Sequence, residues 1–400
     1  MSSKRSVLIV SRSLPFHRAG GMEFVTWDLA RALADSGPAV TVLTTRIPGS
    51  PAKFMVEGVA VVALQESAPG RYSRSFWRAS REWFRRNAPD VNAVLSVSAG
   101  AYGLLPDRAH RPEVRFVMQA HGTSVGEIRS KLNTLSLSQW LRSGRNVAWL
   151  RRDLRAYPRF DRVVAVGPTV AAQLRAPPLS RALPAERVVV IDNGIDTERF
   201  RPDPSAGSEV RASLGWGVDD LVLATVCRLH EQKGVGEALR GFAEFDCRRR
   251  QEASRARWLV VGDGAARASI EAEASRLLPP DGYRIVGEVE RNEIPAFLNA
   301  ADVFLFTTLH LEGLPLNVLE AAATGLPLVL SRTLQYGVDL PGPTRYVDPS
   351  NADEIANALD QILSIESACP EARTPPLPDR YTLKRSAARY AEVLFGEPTP

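Results

Sequence analysis

The chain has 400 residues, of which 44% are hydrophobic and 24% are charged, with a net charge of +5. This balance describes a globular chain too long for one ordinary core, so two domains are the first expectation. The sequence contains no run of about eighteen apolar residues, which argues against a membrane-spanning helix. Its start, MSSKRSVLIVSRS, lacks a cleavable signal pattern, and we expect the mature protein to begin there.

Cysteine spacing and charge distribution narrow the class of protein further. Cys227, Cys247 and Cys369 lie far apart, which excludes a zinc-binding spacing and fits unpaired thiols in a reducing cytoplasm, so we expect no structural metal. Residues 1–200 have 29 Lys and Arg against 16 Asp and Glu, or +13, whereas residues 201–400 have 21 against 29, or −8. A basic half suggests an anionic partner such as lipid, diphosphate or nucleic acid; a solvated arginine-rich surface is the alternative.

Short apolar, β-branched runs alternate with longer helix-like stretches along the chain. The first series of runs covers residues 6–11, 39–45, 58–64, 93–98, 114–121, 162–167 and 187–192. The second series covers residues 221–229, 257–264, 283–289, 302–308 and 326–331. Near-continuous hydrophobic runs are typical of parallel strands buried on both faces. Two series therefore predict two doubly wound α/β domains, joined near Asn193 before the proline-flanked stretch RFRPDPSAGS.

Residues that directly follow a strand are the candidates for ligand binding, because ligands of open α/β sheets bind beyond the carboxyl ends of the strands. After the first strand, Gly20 and Gly21 precede an amphipathic helix whose free N–H groups could bind an anion. A plain glycine turn is the alternative, since the full dinucleotide fingerprint is absent. After the fifth strand, His121 could donate to a sugar hydroxyl or a phosphate, or be a structural histidine.

Two cations follow the first strand of the second series. Arg228 and Lys233 are five residues apart, and Lys233 precedes Gly234 at the entry to a helix. A planar guanidinium and an ammonium on either side of one anion suit a diphosphate. Two surface bases in a loop are the alternative, and we favour a functional pair because both follow a buried strand.

The stretch EGLPLNVLE places two carboxylates around the start of a helix. Gly313 and Pro315 predict a turn that begins a helix near Leu316, whose unpaired amides can hold phosphate oxygens. Glu312 precedes the turn and could accept hydrogen bonds from sugar hydroxyls, while Glu320 could bind the two hydroxyls of a ribose. The alternative is a loop charge and a helix surface charge, which the surrounding apolar residues disfavour.

These motifs together resemble those of a known family. EGLPLNVLE is similar to the Glu, seven residues, Glu motif of retaining glycosyltransferases, and RLHEQKG, DNGID, VGDGAAR, HG and GGMEF accompany it in the order expected for glycosyltransferase family 4. The resemblance spans almost the whole chain and implies the GT-B fold, two Rossmann-like domains facing a cleft. Residues 1–192 would bind the acceptor, residues 193–380 the nucleotide sugar, and residues 381–400 would form a helix crossing back to the N-terminal domain.

The resemblance also implies roles for individual side chains. Arg228 and Lys233 would neutralise the donor diphosphate and stabilise the leaving group. Glu312 and His121 would contact the transferred sugar, and Glu320 would bind the ribose. Contacts to the diphosphate, the base and the distal phosphate would come largely from the backbone of Gly20, Gly21, Gly264, Val289, Gly313, Leu314, Leu316 and Asn317.

The expected reaction is transfer of a sugar from a nucleoside-diphosphate sugar to a hydroxyl acceptor with retained configuration, in bacterial polysaccharide or glycolipid biosynthesis. The sequence contains no Asp-x-Asp triplet, so we expect no metal and no cofactor, with Arg228, Lys233 and helix amides in the place of a cation. Transfer to a soluble small acceptor and a GT-B-fold nucleotide-sugar epimerase are the alternatives. Nucleic-acid binding is not expected, because the second half is acidic.

Two segments suggest which class of acceptor the protein uses. Residues 71–90 and 142–160 mix arginines with aromatic side chains at helical spacing, which suits an anionic membrane interface. We hypothesise a lipid-linked acceptor and a cytoplasmic protein held peripherally at the inner membrane face. The alternative is a pair of amphipathic helices with aromatic side chains inward and arginines outward. The sequence predicts neither the donor base and sugar nor the oligomeric state.

Overall fold

The computed structural model describes residues 5–18, 20–87, 90–132, 137–249, 255–335, 339–368 and 376–396, without the side chains of 129–146 and 366–368. Cys369 lies outside these ranges. The chain divides into two compact units: Met1–Gly194 together with Arg380–Pro400, and Ile195–Asp379.

The first unit alternates strands and helices, as the first series of apolar runs predicts. Its strands are β1 (Ser6–Val10), β2 (Ala39–Thr45), β3 (Lys53–Val56), β4 (Val59–Leu64), β5 (Ala93–Val97), β6 (Arg115–Ala120), β7 (Arg162–Ala165) and β8 (Val188–Val190). Its helices up to the second unit are α1 (Gly21–Asp35), α2 (Arg74–Asn87), α3 (Ser124–Leu132), α4 (Leu137–Ala156) and α5 (Pro168–Leu174).

The strands of the first unit form one sheet in the order β3-β4-β2-β1-β5-β6-β7-β8. All neighbouring pairs are parallel except β3 and β4, so the predicted parallel sheet carries one antiparallel strand at its edge. Glu57 and Gly58 join the two strands, and both have positive φ, 48° and 77°. Two such residues give the turn whose twist matches a two-residue hairpin, so the chain reverses instead of crossing over.

Apolar side chains cover both faces of this sheet. One cluster includes Phe76 and Phe84 of α2, and the other includes Trp27 of α1. Strands buried in this way explain why the runs read as continuous rather than alternating.

The second unit repeats the strand and helix alternation. Its elements are α6 (Pro204–Ser213), β9 (Leu221–Val226), α7 (Val235–Arg249), β10 (Ala256–Val261), α8 (Arg267–Leu277), β11 (Tyr283–Gly287), α9 (Ile294–Asn299), β12 (Val303–Phe306), α10 (Leu316–Ala323), β13 (Leu328–Ser331), β14 (Thr344–Val347) and α11 (Ala352–Ala368).

The sheet of the second unit is wholly parallel, in the order β11-β10-β9-β12-β13-β14. The chain runs outward from β9 in one direction and then returns to add β12 on its other side. The point where the strand order reverses therefore lies between β9 and β12, and a crevice at the carboxyl ends of two such strands is the ordinary ligand site of this architecture.

The last helix, α12 (Leu383–Phe395), belongs to the first unit. Thr382 caps its start by accepting a hydrogen bond from the Arg385 amide. Ala387, Tyr390 and Leu394 are buried in the same cluster as Trp27. None of the helices in the described part of the chain combines the length and apolar character needed to cross a membrane.

Candidate active site

The predicted donor-binding residues of the second unit follow the two strands at its reversal point. Arg228 and Lys233 come after β9, and Glu312 precedes α10 in the segment after β12. Because β9 and β12 are parallel neighbours, both segments leave the sheet at the same edge.

Lys233 and Glu312 contact each other directly. Lys233 Nζ lies 2.6 Å from Glu312 Oε1, and Thr308 Oγ1 donates to the same carboxylate oxygen at 3.2 Å. The two charged side chains are 24% and 15% exposed, so the pair is reachable from solvent. A cation and a carboxylate thus stand side by side, 79 residues apart in sequence.

The backbone at Gly234 brings Lys233 to this position. Gly234 has φ 66° and ends the short turn Glu231–Lys233 that leads into α7. A Cβ added there would lie 1.9 Å from the carbonyl oxygen of Thr307, at the end of the neighbouring strand segment. Only glycine combines the left-handed conformation with this close approach, so the glycine after Lys233 is a structural requirement of the site.

Helix α10 begins at Leu316 with Pro315 as its N-cap, where the turn was predicted. Its first amides, those of Leu316 and Asn317, occupy positions at which a helix has no internal hydrogen-bond partner for N–H groups. The Asn317 side chain donates to the carbonyl of Val226 at 2.8 Å and so ties the helix start to the end of β9. The side chains of Leu314 and Leu316 are buried, which leaves their backbone as the part able to meet a ligand.

Glu320 is a buried residue, not a helix surface charge. Its side chain is 4% exposed, and Oε1 lies 2.9 Å from an Nη atom of Arg291, which is 12% exposed. A carboxylate in such surroundings is retained only when paired, because transfer of a lone charge out of water is strongly unfavourable. The structure thereby adds Arg291, which the sequence analysis did not select.

Arg228 differs from the other charged residues of the site in being exposed. Within the described ranges its guanidinium has no hydrogen bond or ion pair, so it can meet an external anion. The preceding residue, Cys227, is half-buried and packs against the apolar cluster of this unit, and burial raises the pKa of its thiol to about 12.

Gly264 and Val289 follow the two neighbouring strands, β10 and β11. A Cβ on Gly264 would lie 2.2 Å from the carbonyl oxygen of Leu229, so the loop after β10 packs on the loop carrying Arg228. The Gly264 amide donates to Asp263 Oδ1 at 2.6 Å. Val289 is half-buried, and the structure gives it no polar contact. Both residues lie on the carboxyl side of the sheet.

In the first unit, Gly20 is the N-cap of α1 and Gly21 its first residue. A Cβ on Gly21 would meet nothing within 4 Å, so the backbone there is open to a ligand. The turn is held by Glu23, a buried carboxylate that accepts from Ser13 Oγ at 2.6 Å and from the Arg18 guanidinium at 3.0 Å. Burial works to raise the pKa of Glu23, but these two contacts hold it below its usual range.

His121 follows β6, as predicted, and its orientation is set by a chain of hydrogen bonds. Tyr390 on α12 accepts from the Gln119 amide at 2.8 Å, and Gln119 Oε1 lies 3.0 Å from His121 Nε2. An amide oxygen only accepts, so Nε2 carries the proton and Nδ1 is left as an acceptor. Burial lowers the pKa of His121 to about 4, with Glu23 opposing and Arg12 reinforcing the shift, so the ring is neutral at pH 7.

Three contributors to the site escaped the sequence analysis. Glu23 stands three residues after the N-cap glycine, the position from which a Glu commonly reaches back to a helix start, and this signal could have found it. Arg291 carries no local signal, because its partner Glu320 is 29 positions away. The anchoring side chain of Asn317 was overlooked because only its amide was considered. Among the described residues, no three His, Cys, Asp or Glu side chains are grouped so as to hold a metal ion.

Solved structures with the same architecture identify the fold. Sucrose-phosphate synthase from Thermosynechococcus elongatus superposes with a TM-score of 0.73 at 21% identity, over 98% of this chain and 95% of that one. HepE from Anabaena, solved in complex with UDP-glucose, gives a TM-score of 0.65 at 17% identity, over 97% and 95%. At these identities the likeness concerns the fold, which is that of the GT-B glycosyltransferases, as predicted.

Sequence comparison points to the same family. The model of Glycosyltransferase Family 4 matches residues 19–199, and that of Glycosyl transferases group 1 matches residues 208–374. The chain is therefore similar to the glycosyltransferases of family 4, and the resemblance drawn from its motifs is confirmed.

Individual relatives vary in how much of their length is matched. A GDP-mannose-dependent alpha-(1-6)-phosphatidylinositol monomannoside mannosyltransferase of Mycolicibacterium smegmatis is 28% identical over 319 residues, 77% of each chain. A UDP-Gal:alpha-D-GlcNAc-diphosphoundecaprenol alpha-1,3-galactosyltransferase of Escherichia coli is 32% identical over 148 residues, 36% of each chain. Other relatives are matched over 38%, 48% and 36% of their own length.

Proposed function

We propose that this glycosyltransferase moves a sugar from a nucleoside-diphosphate sugar to a hydroxyl acceptor, with retained configuration and without a metal ion. The observation that carries the proposal is the collection of Arg228, Lys233, Glu312, Glu320 and the start of α10 at one edge of the second sheet. Cations and free amides suit a diphosphate, and carboxylates suit the hydroxyls of a ribose and a hexose.

In the proposed reaction, stabilisation of the leaving group is the main task of the protein. The bond between the anomeric carbon and the diphosphate oxygen breaks, and the acceptor oxygen bonds to the same carbon from the same face. The acceptor proton passes to the departing phosphate oxygen. Arg228, Lys233 and the amides of Leu316 and Asn317 would stabilise the charge that develops on the diphosphate.

The remaining predicted residues take supporting roles in this proposal. Glu312 is already engaged by Lys233 and Thr308, so we assign it to hydroxyl binding rather than to nucleophilic attack. The backbones of Gly313 and Gly264 would face the donor. In the first unit, Gly20, Gly21 and His121 stay predictions; His121 Nδ1 would accept a hydrogen bond from a sugar hydroxyl rather than donate one. Val289 stays a prediction as a base contact.

The direct test is release of nucleoside diphosphate from UDP-, GDP- and ADP-sugars by the purified protein, with and without EDTA. We expect release from at least one donor, unaffected by EDTA, and retention of the anomeric configuration by NMR of the product. Lys233→Met should lower kcat/KM by roughly 30- to 1000-fold, since loss of one preorganised charge costs about 2–4 kcal/mol. Arg240→Met is the matched control, because Arg240 lies on α7 and pairs with surface carboxylates only.

Three results would contradict the proposal or one of its parts. Release from none of the donors, with acceptor preparations from bacterial lipid and polysaccharide extracts supplied, would refute nucleotide-sugar transfer. Loss of activity in EDTA that is restored by a divalent cation would refute the metal-independent mechanism. Equal activity of the Lys233 and Arg240 variants would remove the assigned role of the lysine.

For the acceptor we propose a lipid-linked sugar or phospholipid at an anionic surface. The named activities of the mycobacterial and Escherichia coli relatives, on a phosphatidylinositol mannoside and a diphosphoundecaprenol-linked sugar, support this class. The surface of the first unit also supports it. We call this surface the arginine face; it consists of exposed arginines whose side chains make no hydrogen bond or ion pair within the described ranges: Arg71, Arg74, Arg78, Arg151 and Arg155.

Contacts between α2 and α4 bring the arginine face together. Trp77 and Trp149 lie 6.2 Å apart, and the guanidinium of Arg152 covers both rings. Phe76 and Phe84, in contrast, are buried, and Arg81 pairs with Asp107 as part of the fold. The aromatic side chains thus largely serve packing, so attraction to the surface would be electrostatic rather than by insertion.

Vesicle sedimentation tests the arginine face. The protein should bind phosphatidylglycerol vesicles at about 50 mM salt and lose binding at about 500 mM, since attraction between exposed charges is screened. Replacing Arg71, Arg74 and Arg78 with Gln should weaken binding, whereas replacing Arg240 and Arg248 in the second unit should not. Absence of binding at low salt would refute a membrane-bound acceptor and favour a soluble one.

A further inference from the structure

The buried pair of Glu320 and Arg291 stands out as a charged element inside an apolar helix environment. On α10 the residues next to Glu320, namely Leu319 and Ala321, are fully buried, and the carboxylate itself is 4% exposed. A structural role alone would be served as well by apolar residues, because buried ion pairs add little net stability over packed hydrophobic side chains. The pair is therefore explained better by a need for a carboxylate at this place.

Arg291 is fixed from two directions. One Nη atom lies 2.9 Å from Glu320 Oε1, and the guanidinium carbon lies 5.5 Å from the centre of the Phe200 ring, a residue 1% exposed. Arg291 itself lies between β11 and α9, on the carboxyl side of the sheet where the other candidate residues lie. A planar guanidinium that packs on a ring and pairs with a carboxylate at its edge is held in an orientation that lysine cannot reproduce.

We propose that Arg291 is the positioning residue for ribose recognition by Glu320. This inference rests on the proposed function, in which Glu320 accepts hydrogen bonds from the two ribose hydroxyls. Because each carboxylate oxygen has two acceptor sites, the ion pair that Arg291 makes at Oε1 leaves acceptor sites on the Glu320 carboxylate for the ribose hydroxyls. Arg291 keeps the carboxylate aimed before the donor arrives, and the ribose meets a preformed acceptor.

The readout is discrimination between a ribonucleoside diphosphate and its 2′-deoxy analogue. The nucleotide among UDP, GDP and ADP that binds the wild type most tightly would be chosen. Isothermal titration calorimetry would then measure the affinities of that nucleotide, of its 2′-deoxy analogue and of inorganic diphosphate. We expect the wild type to prefer the ribo form by roughly 10- to 100-fold, the effect of one hydrogen bond to a charged group. Arg291→Met should bring the ratio to within about 3-fold with inorganic diphosphate binding unchanged, and Arg291→Lys should be intermediate.

A matched control separates positioning from general stability. Arg211 and Asp302 form another partly buried pair in the same unit, at 2.7 Å with exposures of 14% and 26%, but near the amino ends of β9 and β12. Arg211→Lys should lower the free energy of unfolding and leave the ribose discrimination unchanged. If Arg291→Met fails to fold, Arg291→Lys, which keeps the charge, still gives the ratio.

The outcomes distinguish this inference from the proposed function. Equal loss of affinity for ribo and 2′-deoxy forms in Arg291→Met would place Arg291 on the base or the phosphate and overturn the inference while sugar transfer stands. If the wild type does not discriminate between the ribo and 2′-deoxy forms, the inference is also overturned, because Glu320 then does not bind the ribose. A wild type that binds no nucleoside diphosphate would overturn both.

Discussion

The contact between Lys233 and Glu312 makes a counterintuitive prediction about product binding. With the carboxylate 2.6 Å from the ammonium group, part of the lysine charge is neutralised by the protein itself. A diphosphate that binds Lys233 from the other side is repelled by Glu312. Glu312→Gln keeps the shape and an acceptor oxygen and removes this repulsion, so it should strengthen binding of a nucleoside diphosphate that carries no sugar.

The size of the effect follows from the geometry. A diphosphate oxygen about 2.7 Å from Nζ would be about 5 Å from the carboxylate on the opposite side. Two unit charges at about 5 Å repel by about 1 kcal/mol in water and about 3 kcal/mol at an effective dielectric constant near 20. The side chains of the pair are 24% and 15% exposed, so the repulsion should lie between these two figures. We therefore expect an increase in affinity of roughly 5- to 150-fold.

Isothermal titration calorimetry with UDP, GDP and ADP measures this change directly. Glu231→Gln is the control, because Glu231 is an exposed carboxylate of the same turn and its charge is screened; it should change affinity by less than about 2-fold. Release of diphosphate from the sugar donor should fall in Glu312→Gln, since the sugar hydroxyls lose their acceptor. Unchanged or weaker binding of the sugar-free diphosphate would refute the electrostatic reasoning.

Three further predictions concern stability and reactivity. Gly234→Ala should lower the free energy of unfolding in urea by about 2 kcal/mol or more, because of its φ of 66° and a carbonyl oxygen 1.9 Å from the added Cβ; Gly236→Ala, with only a flexible side chain at 3.6 Å, should not. The pKa of His121 is lowered to about 4 in the folded protein, whereas an unperturbed histidine has a pKa of about 6.5. As the pH falls below about 6.5, the His121 ring is therefore protonated in the unfolded chain before it is protonated in the folded one. The wild type should thus lose up to roughly 2 kcal/mol of stability between pH 6.5 and 4, and an equally steep loss in His121→Gln would contradict this assignment. Iodoacetamide at pH 8 should modify exposed Cys247 faster than half-buried Cys227, whose raised thiol pKa leaves little reactive thiolate, as peptide mass mapping would show; equal modification of both in the folded protein would contradict this assignment.

The sequence allowed most of the architecture to be predicted, because a strand buried on both faces leaves an unbroken apolar run. All twelve predicted runs are strands. The two missed strands are edge strands with mixed composition: β3, with exposed Lys53 and Met55, and β14, with half-buried Thr344 and Arg345. Neither strand is buried on both faces, so neither shows the continuous apolar run on which the prediction depends.

The candidate site could likewise be predicted only in part. Residues next to a strand end or a helix start, such as Lys233 and Leu316, could be selected because a local pattern fixes where they lie. Pairings between distant segments could not be predicted. The sequence gives no sign that Glu312 contacts Lys233 or that Arg291 pairs with Glu320. Such contacts depend on the order of strands in the sheet, which apolar runs alone do not specify.

The membership of α12 in the first unit has a consequence for biosynthesis. Tyr390 and Leu394 complete an apolar face formed by residues near the start of the chain, whereas the second unit is one continuous segment. On the ribosome, the segment translated later can therefore finish folding while the earlier one still awaits its closing helix. Nascent chains stalled before residue 383 should bind chaperones through the uncovered surface beside Trp27, and a peptide spanning the missing helix should compete with that binding.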